Sequence, residues 1–373
     1  MEMMKYWWKN HLKTIVAAKQ VFGAGEPFVR ALLGKPAALC LDHVCGALDH
    51  LFFPSYRDQK IESPVFIMGH PRSGSTFLHR FLHGTNEFVC FRFWEILFPS
   101  LTARKLMAPL IQKRIREGRN VVLPPETGHD QNLESVEEEE LLFFKYLNTQ
   151  FILPMTPLAF SDAPCDDLVY ADQLQPARLV SESMEYLRKC FQKQMLWTGK
   201  KQIIANMNYS AMRLRGLLKE FPDAKVIYLI RSPYETIASH LTLHYHVMDY
   251  NWGIGNISKE KIAKYFEHRY RYNVAYYLYV EQLMDQGVLD GSRTLVLRYD
   301  SMKTSFREMM EQIYDFMGIE MSSAFRTGIE KQALAQRKYR PIHQNFPLEK
   351  FGITRKQVAM DLGSIFERYH FDL

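Results

Sequence analysis

Cysteine is scarce in this chain: Cys40, Cys45, Cys90, Cys165 and Cys190 are odd in number, irregularly spaced and contain no Cys-x-x-Cys pair. That excludes a disulfide framework and a structural zinc knuckle, and it fits a reducing compartment. Charge of one sign is scarce as well. Lys plus Arg exceeds Asp plus Glu by only 6, too small an excess for a nucleic-acid partner but suited to an anionic small ligand. No internal repeat, low-complexity tract or Gly/Ser linker interrupts the 373 residues, and 47% hydrophobic with 24% charged residues is a globular composition. The expectation is a single domain over 1–373, with a helical N-terminal extension over 1–60 packed on it.

Long apolar runs are missing near the start. MEMMKYWWKNHLKTIVAAKQ sets Lys5, Lys9, Lys13 and Lys19 around a four-residue run, IVAA, far below the ~20 residues that span a bilayer. Neither signal nor transmembrane anchor is expected, which favours a cytoplasmic protein, although Lys5, Trp7, Trp8 and Lys9 suit a helix resting on a membrane surface. Residues 10 to 52 read as helical, with breaks near Gly23 to Pro27 and Gly34 to Pro36. Cys40, His43, Cys45 and His50 fall in this stretch, but no three share a face, so no metal site is expected.

What the chain does have is strand–helix alternation. VFIMG (65 to 69), QIIAN (202 to 206), KVIYLI (225 to 230) and TLVLRY (294 to 299) read as strands, beside helical stretches such as NYSAMRLRGLLKEF and FREMMEQIYDFMG. The fold class is therefore α/β, a P-loop-type parallel sheet flanked by helices on both faces, with its ligand at the carboxyl ends of the strands. The dense acidic run within residues 126 to 147 is read structurally. Ser135 and Glu138 match a capping box, and Glu137 to Glu140 crowd a helical first turn.

Gly69-His70-Pro71-Arg72-Ser73-Gly74-Ser75-Thr76 follows the first strand and opens a helix. Glycines let the backbone wrap an anion, and the amides entering the helix point at it. Ser75 stands where a nucleotide triphosphatase carries lysine, so Mg-nucleotide hydrolysis lacks a usual component, while Arg72 supplies a cation inside the loop. A second cluster closes KVIYLIRSPYETIASH: Arg231 at a strand end, Ser232 as N-cap, Pro233 at the first helical position and Ser239 two turns on. Two anion sites on one sheet suggest a ligand with phosphates at both ends.

PRSGSTFLHRFL, the Trp94-Glu95 pair, FPDAKVIYLIRSPYETIAS and LRYDSMKTSFREMMEQIYDFMG together resemble the sulfotransferases that use 3′-phosphoadenosine 5′-phosphosulfate, in particular the large bacterial and protein-tyrosine-like branch. The resemblance runs from about residue 64 to 355. It implies extra N-terminal and acceptor-pocket helices around the sheet. It also implies that Arg72, Ser73, Gly74, Ser75 and Thr76 grip the 5′-phosphosulfate and that Arg231 and Ser239 grip the 3′-phosphate, with Tyr299 and the basic residues Arg337, Lys338 and Arg340 closing over the nucleotide. The family's catalytic glutamate falls on Glu95, whose apolar neighbours would desolvate it and raise its pKa, making it the expected general base; His129 and His70 are runners-up. Where relatives carry a lysine fifteen residues before FPDA, this chain has Asn206, expected to act as a neutral donor, with Arg72, Lys200 or Lys201 covering the missing charge.

The expected reaction is metal-independent in-line transfer of the sulfuryl group to a hydroxyl of a small molecule. Aromatic clusters at Phe91, Phe93, Trp94, Phe98, Phe143, Phe144 and Tyr146, and again between Tyr245 and Tyr277, favour a lipophilic acceptor such as a sterol, steroid or phenol over a carbohydrate or a peptide tyrosine. A P-loop kinase and a catalytically silent nucleotide-binding module are the rival readings. Oligomeric state is left open.

Overall fold

The computed structural model describes residues 1–124, 130–163, 165–338 and 344–372. Its first helix, α1 (Glu2–Phe22), buries Trp7, Asn10, Thr14, Ala17 and Ala18 at helical spacing and leaves Trp8, Leu12 and Val16 exposed on the other side. The second helical run, α2 (Glu26–Phe52), is continuous where a break was expected: a π-turn at Arg30–Gly34 joins its halves. The wider turn interrupts the regular bond ladder just where Pro36 has no N–H to donate, so proline no longer ends the helix. By length and composition α2 could cross a membrane, and only 17% of its most apolar window is buried. The expectation of no transmembrane anchor was drawn from the four-residue run IVAA, and α2 is an apolar stretch of greater length than that run.

The chain then lays down β1 (Val65–Gly69), α3 (Ser75–His83), α4 (Phe93–Leu97), α5 (Leu101–Arg116) and a small antiparallel pair, β2 (Val121–Leu123) with β3 (Gln131–Asn132). A 3-10 segment at Glu139–Tyr146 leads to α6 (Ala177–Thr198), β4 (Ile204–Asn206), α7 (Leu214–Glu220) and β5 (Lys225–Ile230). α8 (Pro233–Trp252), α9 (Lys259–Asp285), β6 (Thr294–Arg298), α10 (Phe306–Met317) and α11 (Ser323–Lys338) follow. The four main strands form one parallel sheet in the order β4-β1-β5-β6.

β1 and β5 occupy the middle of this sheet, which is why their sequences are unbroken apolar runs: both faces are covered. Alternate residues feed two cores. Phe66, Met68, Val226 and Tyr228 pack with α6, α8 and α9, whereas Val65, Ile67, Ile227 and Leu229 pack with α3, α10 and α11. Every βα turn therefore delivers its loop to the same edge, at the carboxyl ends of the strands.

The acidic run does not cap a helix. Ser135 Oγ accepts from the Asn132 amide, and the glutamates reach across to neighbouring elements. Glu137 accepts from Arg80 Nη2 at 2.6 Å. Glu139 accepts from the amides of Asn206 (2.6 Å) and Phe91 (3.2 Å), and Glu140 pairs with Ser210 and Arg213. Burial pushes the Glu139 and Glu140 carboxyls above the usual range. These residues are ties between the sheet and the 3-10 segment rather than a solvated first turn.

Candidate active site

The loop between β1 and α3 is held in a conformation few sequences allow. Arg72 has φ 77° and Gly74 φ 93°, and a Cβ on Gly74 would meet Met302 Sδ at 2.8 Å and Tyr299 Cδ2 at 3.0 Å. Gly69 is required for a different reason: a Cβ there would lie 2.5 Å from the Leu229 carbonyl oxygen. Ser73 turns inward, its amide and hydroxyl both donating to the His70 carbonyl (3.0 and 2.6 Å). His70 is fully buried, stacked on Tyr277 at 4.7 Å, and burial pulls its pKa down to about 4. What faces outward is Arg72, Gly74, Ser75 and Thr76, at the N-terminus of a nine-residue helix whose first amides have no acceptor within the helix.

β5 delivers the second cation to the same place. Arg231 donates from Nη1 to the Arg72 carbonyl (2.9 Å) and from Nε to Glu235 (2.8 Å), while Arg72 Nε donates to Ser239 Oγ (3.1 Å). The Arg231 guanidinium lies 4.0 Å from the Tyr299 ring centroid, and Lys303 lies 5.0 Å from the same ring. Arg72, Arg231, Ser239 and Tyr299 thus line one cavity of about 1110 Å³. The two anion sites expected from the sequence adjoin each other.

From that polar end the cavity continues between Phe77, Phe93, Phe144, Phe151 and Trp252 to a wall made by α1 and α2, including Trp7, Ala31 and Leu39. Among the aromatics singled out from sequence, Phe93, Phe144 and Trp252 line it; Phe91, Phe143, Tyr276 and Tyr277 are core. Exposed residues of the lining are Glu235, beside Arg231, and Asn345 on one side, and on the other Arg30, Gly34 and Ala38 of α2 with Leu97, whose carbonyl accepts from Lys145.

Glu95 lies apart from this cavity. It is 5% exposed on α4, and its oxygens accept from the Arg92 amide (2.9 Å), Gln194 Nε2 (2.9 Å) and Trp197 Nε1 (3.1 Å). Asn206 is fully buried with neither side-chain amide atom hydrogen-bonded among the described residues, and it does not line the cavity. Lys200 is bound to Asn86 (2.8 Å), Lys201 is exposed, and neither faces the cavity. Lys338 is exposed at the end of α11. His129 and Arg340 lie outside the described residues, as does the side chain of Arg337.

Among the described residues three carboxylates line the cavity: Glu137 is taken up by Arg80, Glu235 by Arg231, and Glu138 stands beside the loop next to Asn208. Glu138 Oε1 accepts from Asn208 Nδ2 (3.2 Å), which also reaches Ser75 Oγ at 2.5 Å. Tyr209 lines the same wall, its hydroxyl 2.8 Å from His240 Nε2. The sequence reading passed over all three: Glu138 as one of four consecutive glutamates, Asn208 and Tyr209 as the start of a helix that is in fact a 3-10 turn at Asn208–Arg213.

A parallel sheet with an anion loop lacking lysine, facing a second arginine across one cavity, defines a P-loop-type α/β transferase. The sulfotransferase family model matches residues 64–323, and the chain belongs to that family, whose members generally take sulfate from 3′-phosphoadenosine 5′-phosphosulfate. It is 24% identical over 320 residues to the omega-hydroxy-beta-dihydromenaquinone-9 sulfotransferase Stf3 of Mycobacterium bovis, covering 83% of this chain and 76% of that protein; the Mycobacterium tuberculosis protein of the same name matches equally. The fold is shared with sulfotransferase STF9 of Mycobacterium avium (18% identity, TM-score 0.73, 98% of this chain and 92% of that one). Sulfotransferase STF1 of Mycobacterium tuberculosis is similar too (17%, TM-score 0.69, 98% and 93%).

Proposed function

We propose that this sulfotransferase moves the sulfuryl group of 3′-phosphoadenosine 5′-phosphosulfate to a hydroxyl on a long apolar acceptor, of the menaquinone-like lipid class named for Stf3. The observation that carries this reading is one cavity that runs from the cationic phosphate loop through a stretch walled by Phe77, Phe93, Phe144, Phe151 and Trp252 to α1 and α2, where Arg30, Lys35 and Lys145 also line it. Arg72 and the amides of Gly74, Ser75 and Thr76 would hold the phosphosulfate, and Arg231 with Ser239 the 3′-phosphate. Lys303, beside Tyr299, adds a cation at that end.

The acceptor oxygen bonds to sulfur as the bond from sulfur to the phosphate oxygen breaks, and adenosine 3′,5′-bisphosphate leaves. Charge spreads over the sulfuryl oxygens in between, so fixed donors around the loop stabilise the transition state. The hydroxyl proton needs an acceptor on the cavity wall. Of the three carboxylates there, Glu137 and Glu235 are bound to arginines, and we assign the role of general base to Glu138 in place of Glu95. Asn208 rather than Asn206 serves as the neutral donor next to Ser75.

The test is incubation with sulfur-labelled donor and a panel comprising an ω-hydroxylated polyprenyl quinol, a sterol, a simple phenol and a monosaccharide, with EDTA present. Labelled sulfate ester on the polyprenyl compound is the expected result. Transfer only to the sugar would replace the acceptor class, and absence of both transfer and bisphosphate binding would remove the reading altogether.

A further inference from the structure

About half of the large apolar side chains left exposed among the described residues belong to the first 52, including Leu12, Leu33, Leu41, Val44, Leu51 and Phe52. Such a concentration in one short stretch of the chain marks a contact surface. α2 carries most of it, and α5, packed against α2, continues it with Leu106 (66% exposed) and Leu110 (55%). The packing is fixed by Asp49 near the end of α2, which accepts from Ser100 Oγ (2.8 Å) and the amides of Leu101 (3.1 Å) and Thr102 (2.8 Å) at the start of α5.

Charge around the patch is mostly positive. α5 contains no acidic residue, while Lys105, Lys113, Arg114 and Arg116 are exposed along it, and Arg30 is exposed on α2. Of the acids nearby, Asp42 is engaged inward with Lys145 and Asp49 with Lys193, which leaves Glu26 exposed on α2 and Glu117, just past α5, paired with Lys113 and Arg119. An apolar face fringed by lysine and arginine is complementary to the headgroup region of an anionic bilayer. The same ties show why α2 does not span one: its inner side, through Ala31, Lys35 and Leu39, is the wall of the cavity.

The position of the cavity rim supplies the second observation. Arg30, Gly34 and Ala38, one turn apart on α2, are both exposed and cavity-lining, so this end of the cavity opens on the patch itself. We propose that the α2–α5 face lies in the interfacial plane of an anionic membrane and that the acceptor passes from the bilayer into the cavity beside Gly34. This deepens the proposed function by naming the acceptor's source and rests on it for that part, whereas docking itself does not depend on catalysis.

The experiment is flotation of the full chain with vesicles of phosphatidylcholine containing 30% phosphatidylglycerol, against phosphatidylcholine alone, using wild type and the triple variant Leu33→Glu, Leu41→Glu, Val44→Glu. These side chains are outside the cavity lining, so bisphosphate binding, read by calorimetry, checks that the variant is folded. Wild type is expected to float at least 10-fold more with the anionic vesicles than the variant does, and to be released by alkaline carbonate. Sulfation of a vesicle-embedded acceptor should fall in the variant while sulfation of a short water-soluble alcohol is retained. Equal flotation of the two proteins, flotation independent of phosphatidylglycerol, or retention after carbonate overturns the proposal. So does a wild-type dimer that the variant abolishes, because the face would then be covered by a second copy. Flotation as expected with no transfer to any acceptor would instead count against the proposed function and leave the docking intact.

Discussion

The Arg231 guanidinium donates to the carbonyl oxygen of Arg72 at 2.9 Å, so the cation at the end of β5 also braces the phosphate loop after β1. One residue therefore carries two duties: it presents charge to the cavity, and it holds the neighbouring arginine's left-handed backbone, φ 77°, in place.

Arg231→Ala should weaken adenosine 3′,5′-bisphosphate binding by about 10- to 100-fold, the equivalent of one or two charge-assisted hydrogen bonds. Calorimetric titration checks it. A dissociation constant within a factor of two of wild type would separate Arg231 from the nucleotide.

Glu138→Gln should lower kcat by about 10²- to 10⁴-fold, the usual weight of a general base, with bisphosphate affinity nearly unchanged. Glu95→Gln should behave in the opposite manner. It places an amide where three donors converge, costing about 1–3 kcal/mol of stability, with kcat close to wild type. Denaturant titration and turnover measured on both variants decide between the two carboxylates; loss of turnover only in Glu95→Gln returns the role to Glu95.

Gly74→Ala combines an unfavourable backbone conformation with a Cβ 2.8 Å from Met302 Sδ and 3.0 Å from Tyr299. About 1–3 kcal/mol of strain is expected, relieved in part by displacement of Tyr299. Reduced bisphosphate affinity together with a lower melting temperature is the predicted signature. A variant with wild-type affinity would mean that Tyr299 does not contribute to the nucleotide site.

Four of the five histidines buried among the described residues, those fully enclosed in the core, set an acid limit. Burial lowers the pKa of His70 to about 4 and of His79 to about 3, and places His240 and His244 well below the ordinary value. With folded-state pKa values below the unfolded one, their contribution is intact above about pH 6.5 and is lost as pH falls toward the folded values. Each removes up to about 1.4 kcal/mol per pH unit in that window. Glu139 and Glu140 oppose the trend, because burial raises their pKa and favours the protonated fold. The urea midpoint should fall between pH 7 and pH 5. A flat profile would show that these imidazoles are charged inside the fold.

The architecture was legible where one physical signal dominated. VFIMG and KVIYLI were read at their observed bounds because a strand buried on both faces must be apolar throughout. The anion loop was legible because its glycines and arginine serve a local backbone need. Side-chain direction was not. The apolar neighbours of Glu95 announced its burial correctly, but nothing in them shows that its oxygens turn to Gln194 and Trp197, residues about a hundred positions away. Glu138 was hidden by its neighbours, since four adjacent glutamates look alike until tertiary packing sends each to a different partner. The continuity of α2 was masked because Gly34 and Pro36 ordinarily signal a stop, and a π-turn is a rare way past them.

The exposed lining at Glu235 and Asn345 on one side, and at Arg30, Gly34 and Ala38 on the other, gives the reaction chamber two doors. On the proposed function, spent nucleotide and sulfated product would leave by separate routes. In-line transfer needs donor and acceptor bound together, so the scheme stays sequential, and two entrances let either partner bind first.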